Sequence, residues 1–145
     1  MSQVHLILGV AVLATNLLAG AWGGVAWLRR EPSVIFWYLL RVAQGVVVVQ
    51  VLLGLVLLAS GRQAQGSLHV LYGVAPLVVA LVSEAMRVGA AQSELAEAGD
   101  FEALERLEQA LLARRVVLRE MGIMAVGALL IVTLALRAAG TGGLL

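Results

Sequence analysis

Four apolar stretches, Val4 to Leu28, Val34 to Ala59, Leu68 to Met86 and Val116 to Leu136, each match the roughly 20 residues a helix needs to cross a bilayer. With 61% hydrophobic and 13% charged residues over 145 positions, the chain cannot wrap these stretches into a water-soluble globule. The expected fold class is all-α integral membrane, an antiparallel up-down four-helix transmembrane bundle forming a single domain over residues 1–145. The first stretch reads as a permanent span, because no basic region precedes it and it exceeds the core of a signal peptide. The absence of cysteine removes disulfides, thiolate ligands and thiol nucleophiles. A net charge of +1 without lysine gives no case for nucleic-acid binding. No motif of soluble catalysis is present, so the chain is not expected to be an enzyme by itself.

Arginine placement sets the expected orientation, since cytoplasmic flanks collect basic residues. Arg29 and Arg30 lie between spans one and two, and Arg87, Arg106, Arg114, Arg115 and Arg119 flank or fill the connection between spans three and four. Only Arg62 and Arg137 fall on the other side. The chain is thus expected in the cytoplasmic (inner) membrane with both termini external. "EPS" at Glu31, Pro32 and Ser33 reads as a tight turn with Pro32 in the first turn of the second helix.

The one long polar segment, residues 88–115, carries Glu94, Glu97, Asp100, Glu102, Glu105 and Glu108, too acidic to be drawn to an anionic membrane surface. Gly99 and Asp100 read as a helix stop followed by a new N-cap, and Phe101, Leu104, Leu107 and Leu111 recur at helical spacing. A cytoplasmic helical hairpin extending helices three and four is expected, with helix four running from Asp100 to Arg137. Its leucines either pack on each other or dock a protein partner.

The two histidines, His5 and His69, open the same phrase, His-x-x-x-Gly-Val-Ala. On the first span His5, Gly9, Val12, Asn16, Gly20 and Gly23 share one face, and on the third His69, Gly73, Pro76, Ala80, Ser83, Glu84 and Arg87 do. Polar and small residues turn inward in lipid, so both imidazoles are expected inside the bundle at one depth. Histidine is an axial ligand of haem iron, and Gly9 and Gly73, one turn deeper, would clear room for a flat ring. Arg62 and Arg137, at the same level, could meet its propionates. The same histidines also suit a cofactor-free bundle in which they are polar end groups.

The stretch QVLLGLVLLASGRQAQGSLHVLYG, residues 50–73, resembles the haem-carrying four-helix half of the haem A synthases and, more loosely, cytochrome b561-type bundles. The resemblance covers two of the four spans. It implies haem b on the external side, ligated by His69 and a diagonal partner, for which His5 is the candidate. The chain departs from that pattern in having one four-helix unit, no external cysteine pair and no glutamate beside a histidine.

Arg41, about eight residues into the second span with Gln44 on its face, is costly at that depth without a partner. An ion pair with Glu84 or Glu120 is expected. Gly20-x-x-x-Gly24 permits close helix packing, within the bundle or between protomers of a homo-oligomer. Two functions remain open: a small b-type haem protein in electron transfer or haem handling beside a larger membrane redox complex, and a cofactor-free accessory subunit that docks through the hairpin.

Overall fold

A computed structural model of the chain describes residues 3–61 and 66–141. It consists of α1 (Gln3–Leu28), α2 (Val34–Ala59), α3 (Ser67–Ala98) and α4 (Arg106–Thr141), with a 3-10 turn at Phe101–Ala103 and no strand among the described residues. All four helices are long and apolar enough to cross a membrane. Large side chains such as Ile7, Leu18, Tyr38, Leu81 and Leu130 are exposed on their outer faces, as suits a lipid surround.

The turns explain where each helix stops. At the end of α1 the Glu31 N–H donates to the Ala26 carbonyl and the Arg30 N–H to the Trp27 carbonyl, both at 2.9 Å. This is the Schellman pattern, which places Arg30 at the position usually given to glycine. Arg30 has φ 56°, and a side chain in that left-handed region costs roughly 1–2 kcal/mol. Ser33 then caps α2, its hydroxyl accepting from the Phe36 N–H at 3.3 Å and from Trp22 Nε1 at 2.9 Å. Pro32, expected in the first helical turn, instead stands one residue before this cap.

The start of α4 also differs from expectation. Asp100 accepts from the Glu102 N–H at 3.1 Å and so caps the 3-10 turn alone. The α-helix begins at Arg106, where Glu108 reaches back to the Glu105 N–H at 3.2 Å, half of a capping box. Gln109 Nε2 donates to the carbonyls of Phe101 and Leu104, tying the turn to the helix. From there α4 runs 36 residues, about 54 Å at 1.5 Å per residue, past Arg137 to Thr141.

Small residues make α4 the centre of the packing. It lies along both α1 and α3, α1 lies along α2, and α2 touches α3 only sparsely. A Cβ at Gly122 would come within 2.7 Å of the Trp27 ring, one at Gly20 within 2.7 Å of Leu129, and one at Gly127 would collide with the Ser83 hydroxyl. Three core layers follow along the helices: Ala26, Phe36, Leu40, Met121, Met124 and Ala125; then Ala19, Ala43 and Ala128; then Val12, Val47, Val51, Ala80 and Ile131. The all-alanine middle layer draws the helices together, and Asn16 beside it is buried with its amide donated to the Val12 carbonyl at 2.9 Å.

The glycine pair used on α1 is Gly20 with Gly23, whereas Gly24 faces open space. A Cβ on Gly23 would overlap the buried Phe36 ring. Gly23→Ala should therefore destabilise the bundle by about 1–3 kcal/mol, the usual range for overpacking, while Gly24→Ala should be neutral or slightly stabilising through helix propensity. Thermal unfolding of the two variants in one detergent checks this; a Gly24→Ala loss as large as that of Gly23→Ala would contradict the packing described.

Candidate functional site

At the His5 end, α1 and α2 interlock through two phrases of the same form. His5-x-x-x-Gly9 on α1 meets Gln50-x-x-x-Gly54 on α2: the His5 ring lies 3.4 Å from a Cβ built on Gly54, and the Gln50 amide lies 3.4 Å from one built on Gly9. Each polar side chain occupies the space left by the other helix's glycine. The Gln50 amide nitrogen stands 3.4 Å from His5 Nε2, a long contact that suits donation to an unprotonated ring nitrogen.

His69 comes in from α3. Its ring centre is 6.3 Å from that of His5, with the ring planes inclined at 61°. The Ala138 carbonyl of α4 lies 3.2 Å from His69 Nδ1 and accepts a hydrogen bond from it, which leaves Nε2 outside this bond. Both imidazoles are half-buried and open on a cavity of about 100 Å³ lined by Gly9, Gln50, Tyr72, Gly73 and Pro76 among others, with an otherwise apolar wall. Pro76 has no N–H for the Tyr72 carbonyl one turn earlier, so a backbone acceptor is freed beside this space.

Of the expected site residues, His5, His69, Gly9 and Gly73 all border the cavity. Their roles differ: Gly9 is closed off by Gln50, while nothing lies within 4 Å of a Cβ on Gly73. Arg137 is exposed near the end of α4, and Arg62 lies outside the described residues. Gln50, Gly54, Tyr72 and Ala138 were not among the expected site residues. The spacing of Gln50 and Gly54, identical to that of His5 and Gly9, is the signal that could have found the first two.

A second polar centre occupies the other half of the bundle. Arg41 pairs with Glu84 and also donates to Gln44 Oε1 at 2.7 Å, and Gln44 donates in turn to Glu84 at 2.8 Å. Glu84 is the hub, because its other oxygen accepts from Arg87 Nε and Nη2 at 2.9 and 2.8 Å. Glu120 takes Arg87 at 3.3 Å rather than Arg41. The Arg87 guanidinium also rests 5.6 Å from the Trp37 ring centre, within cation–π range. Two guanidiniums and two carboxylates compensate one another here, which fits a clasp between α2, α3 and α4.

Among the described residues no group of three or more His, Cys, Asp or Glu side chains could hold a metal ion. A bare zinc site, which takes three or four protein ligands, is therefore not built among the described residues. Two imidazoles suffice only where a ligand supplies the remaining coordination, as a macrocycle does. In comparisons with known proteins, no family model, curated protein or solved structure matches the chain.

Proposed function

We propose that the chain is a small membrane b-type haem protein, an up-down four-helix bundle holding one haem between His5 and His69 near its external face. The observation that carries this reading is the pair of imidazoles that α1 and α3 bring together over one cavity. Two imidazoles bound through nitrogen on opposite sides of one metal, at about 2.0–2.1 Å each as histidine binds first-row ions, place their ring centres roughly 6 Å apart. The observed spacing is 6.3 Å, with the ring planes inclined at 61°. The bond from His69 Nδ1 to a backbone carbonyl is the support that metal-binding histidines commonly have.

The macrocycle is larger than the present cavity of about 100 Å³. Its entry requires α2 and α3 to part, and theirs is the sparsest of the neighbouring helix contacts. Gly73, where an added Cβ would meet nothing within 4 Å, borders the cavity itself. Ligation also replaces the 3.4 Å contact of His5 with Gln50, a small loss against an iron–nitrogen bond. A haem held there supplies a one-electron carrier; the chain's own residues orient the two rings and keep the surrounding wall apolar.

A purified sample should show a Soret band and, on reduction, sharp α and β bands of a low-spin bis-histidine haem. A colourless protein from cells supplied with haem would overturn the reading. It would favour the second one, a cofactor-free accessory subunit docking through residues 88–115, where Leu95, Phe101, Leu107 and Leu111 are exposed on a segment expected to stand clear of the membrane. For either reading, a reporter inserted between Glu97 and Glu102 should be cytoplasmic and one after Leu145 external. An external signal from the first would place the histidines on the inner side.

A further inference from the structure

The charged end of α1 carries a feature that neither the haem reading nor the polar clasp uses. Arg29 and Arg30 are exposed at the α1–α2 turn, and Arg114 of α4 reaches across to donate its Nη2 to the Arg30 carbonyl at 2.9 Å. Two arginines of one short turn and the guanidinium of a third thus meet at the same place. Among the described residues the ion pairs engage Arg41, Arg87 and Arg119, and none engages these three. Glu31 is the only acidic residue of the turn itself.

Two further observations point to what this cluster meets. Arg30 stands in the left-handed conformation where glycine would be unstrained, so the fold gains nothing local from an arginine there. Trp22 and Trp27, which flank the turn on α1, are about half exposed, and Trp22 is fixed by its bond to Ser33. Indole rings on the rim of an apolar span belong at the headgroup level of a bilayer, which sets the guanidiniums at the depth of lipid phosphates. Planar guanidiniums bind phosphate oxygens in forked pairs.

We propose that Arg29, Arg30 and Arg114 form a binding site for the phosphate of an anionic phospholipid headgroup, with Trp22 and Trp27 beside its glycerol and upper acyl region. The proposal depends on the membrane assignment and not on haem; the haem spectrum therefore reports separately on the other site.

The test uses the full chain in detergent, offered equal amounts of phosphatidylglycerol and phosphatidylcholine, with bound lipids counted by native mass spectrometry. Phosphatidylglycerol should be retained preferentially. Arg30→Gly and Arg114→Gln should each lower the preference about five-fold, the effect of one basic residue at a membrane surface, and Arg106→Gln on the hairpin should not. Arg30→Gly also separates binding from folding: by relieving the left-handed residue it should raise the melting temperature without lipid, yet shrink the rise that phosphatidylglycerol produces. Equal retention of the two lipids, or a preference unchanged in both variants, would overturn the proposal. So would a melting-temperature rise with inorganic phosphate equal to that with phosphatidylglycerol, which would make free phosphate the ligand. A dimer lost in both variants with lipid preference intact would also overturn it, assigning the arginines to the acidic 94–108 segment of a second copy.

Discussion

His5→Ala and His69→Ala should each remove most of the haem absorbance from the purified protein while leaving its helical content unchanged. A haem held as proposed would lose one of its two histidine ligands in an otherwise apolar pocket, and neither side chain belongs to a core layer. His69→Ala also removes the bond between its ring and the Ala138 carbonyl, and with it a tie between α3 and α4. The glycines test the same site from the steric side. Gly73→Leu enters open space, so it should leave the melting temperature nearly unchanged and still abolish haem binding. Gly9→Leu runs into Gln50 and should lower both. Full haem content in both histidine variants would sink the bis-histidine assignment, whatever the glycines do.

The four long apolar helices were legible in the sequence because bilayer thickness imposes one length on any apolar helix that crosses it, and that constraint does not depend on how the helices pack. The inward stripe of α1 was legible for a similar reason: Val12, Asn16, Gly20 and Gly23 recur at the helical period, and all four are buried. Pairing between helices was harder to read. Gly20 and Gly24 satisfy the familiar spacing, but the contact with α4 and Phe36 uses Gly20 and Gly23, since a straight helix advances its contact face by three or four residues according to the crossing angle. The meeting of His5 with Gly54 and of Gln50 with Gly9 depends on the register between α1 and α2, which composition and period do not carry. Helix ends followed side-chain competition instead: Asp100 is a good cap by type, yet the Glu105 and Glu108 pair captures the α4 start.

That same dependence on register decides the second large effect expected here. From sequence, Arg41 is the costly buried charge; in the bundle Glu84 is the residue that others rely on. Arg41 is half exposed at 53%, whereas Glu84 and Arg87 are exposed by 26% and 22%. Removing Arg41 leaves Glu84 paired with Arg87 and bonded to Gln44 and puts an apolar side chain on the outer face of α2, so Arg41→Leu should cost under about 1 kcal/mol. Glu84→Leu leaves Arg41 with its bond to Gln44 alone and Arg87 with its 3.3 Å contact to Glu120 and its place over the Trp37 ring. Breaking a buried pair costs about 3–5 kcal/mol, and the contacts that Arg41 and Arg87 keep lower the expected loss to roughly 2–3 kcal/mol. Arg41→Glu should fall between the two: it adds a like charge near Glu84, but the new carboxylate can take up a proton or turn outward. Thermal unfolding followed by circular dichroism should thus rank Glu84→Leu as most destabilised and Arg41→Leu as least. If Arg41→Leu proved as damaging as Glu84→Leu, the clasp would depend on the α2 arginine, and the contacts of Arg87 with Glu84, Glu120 and Trp37 would carry little of the stability that their geometry suggests.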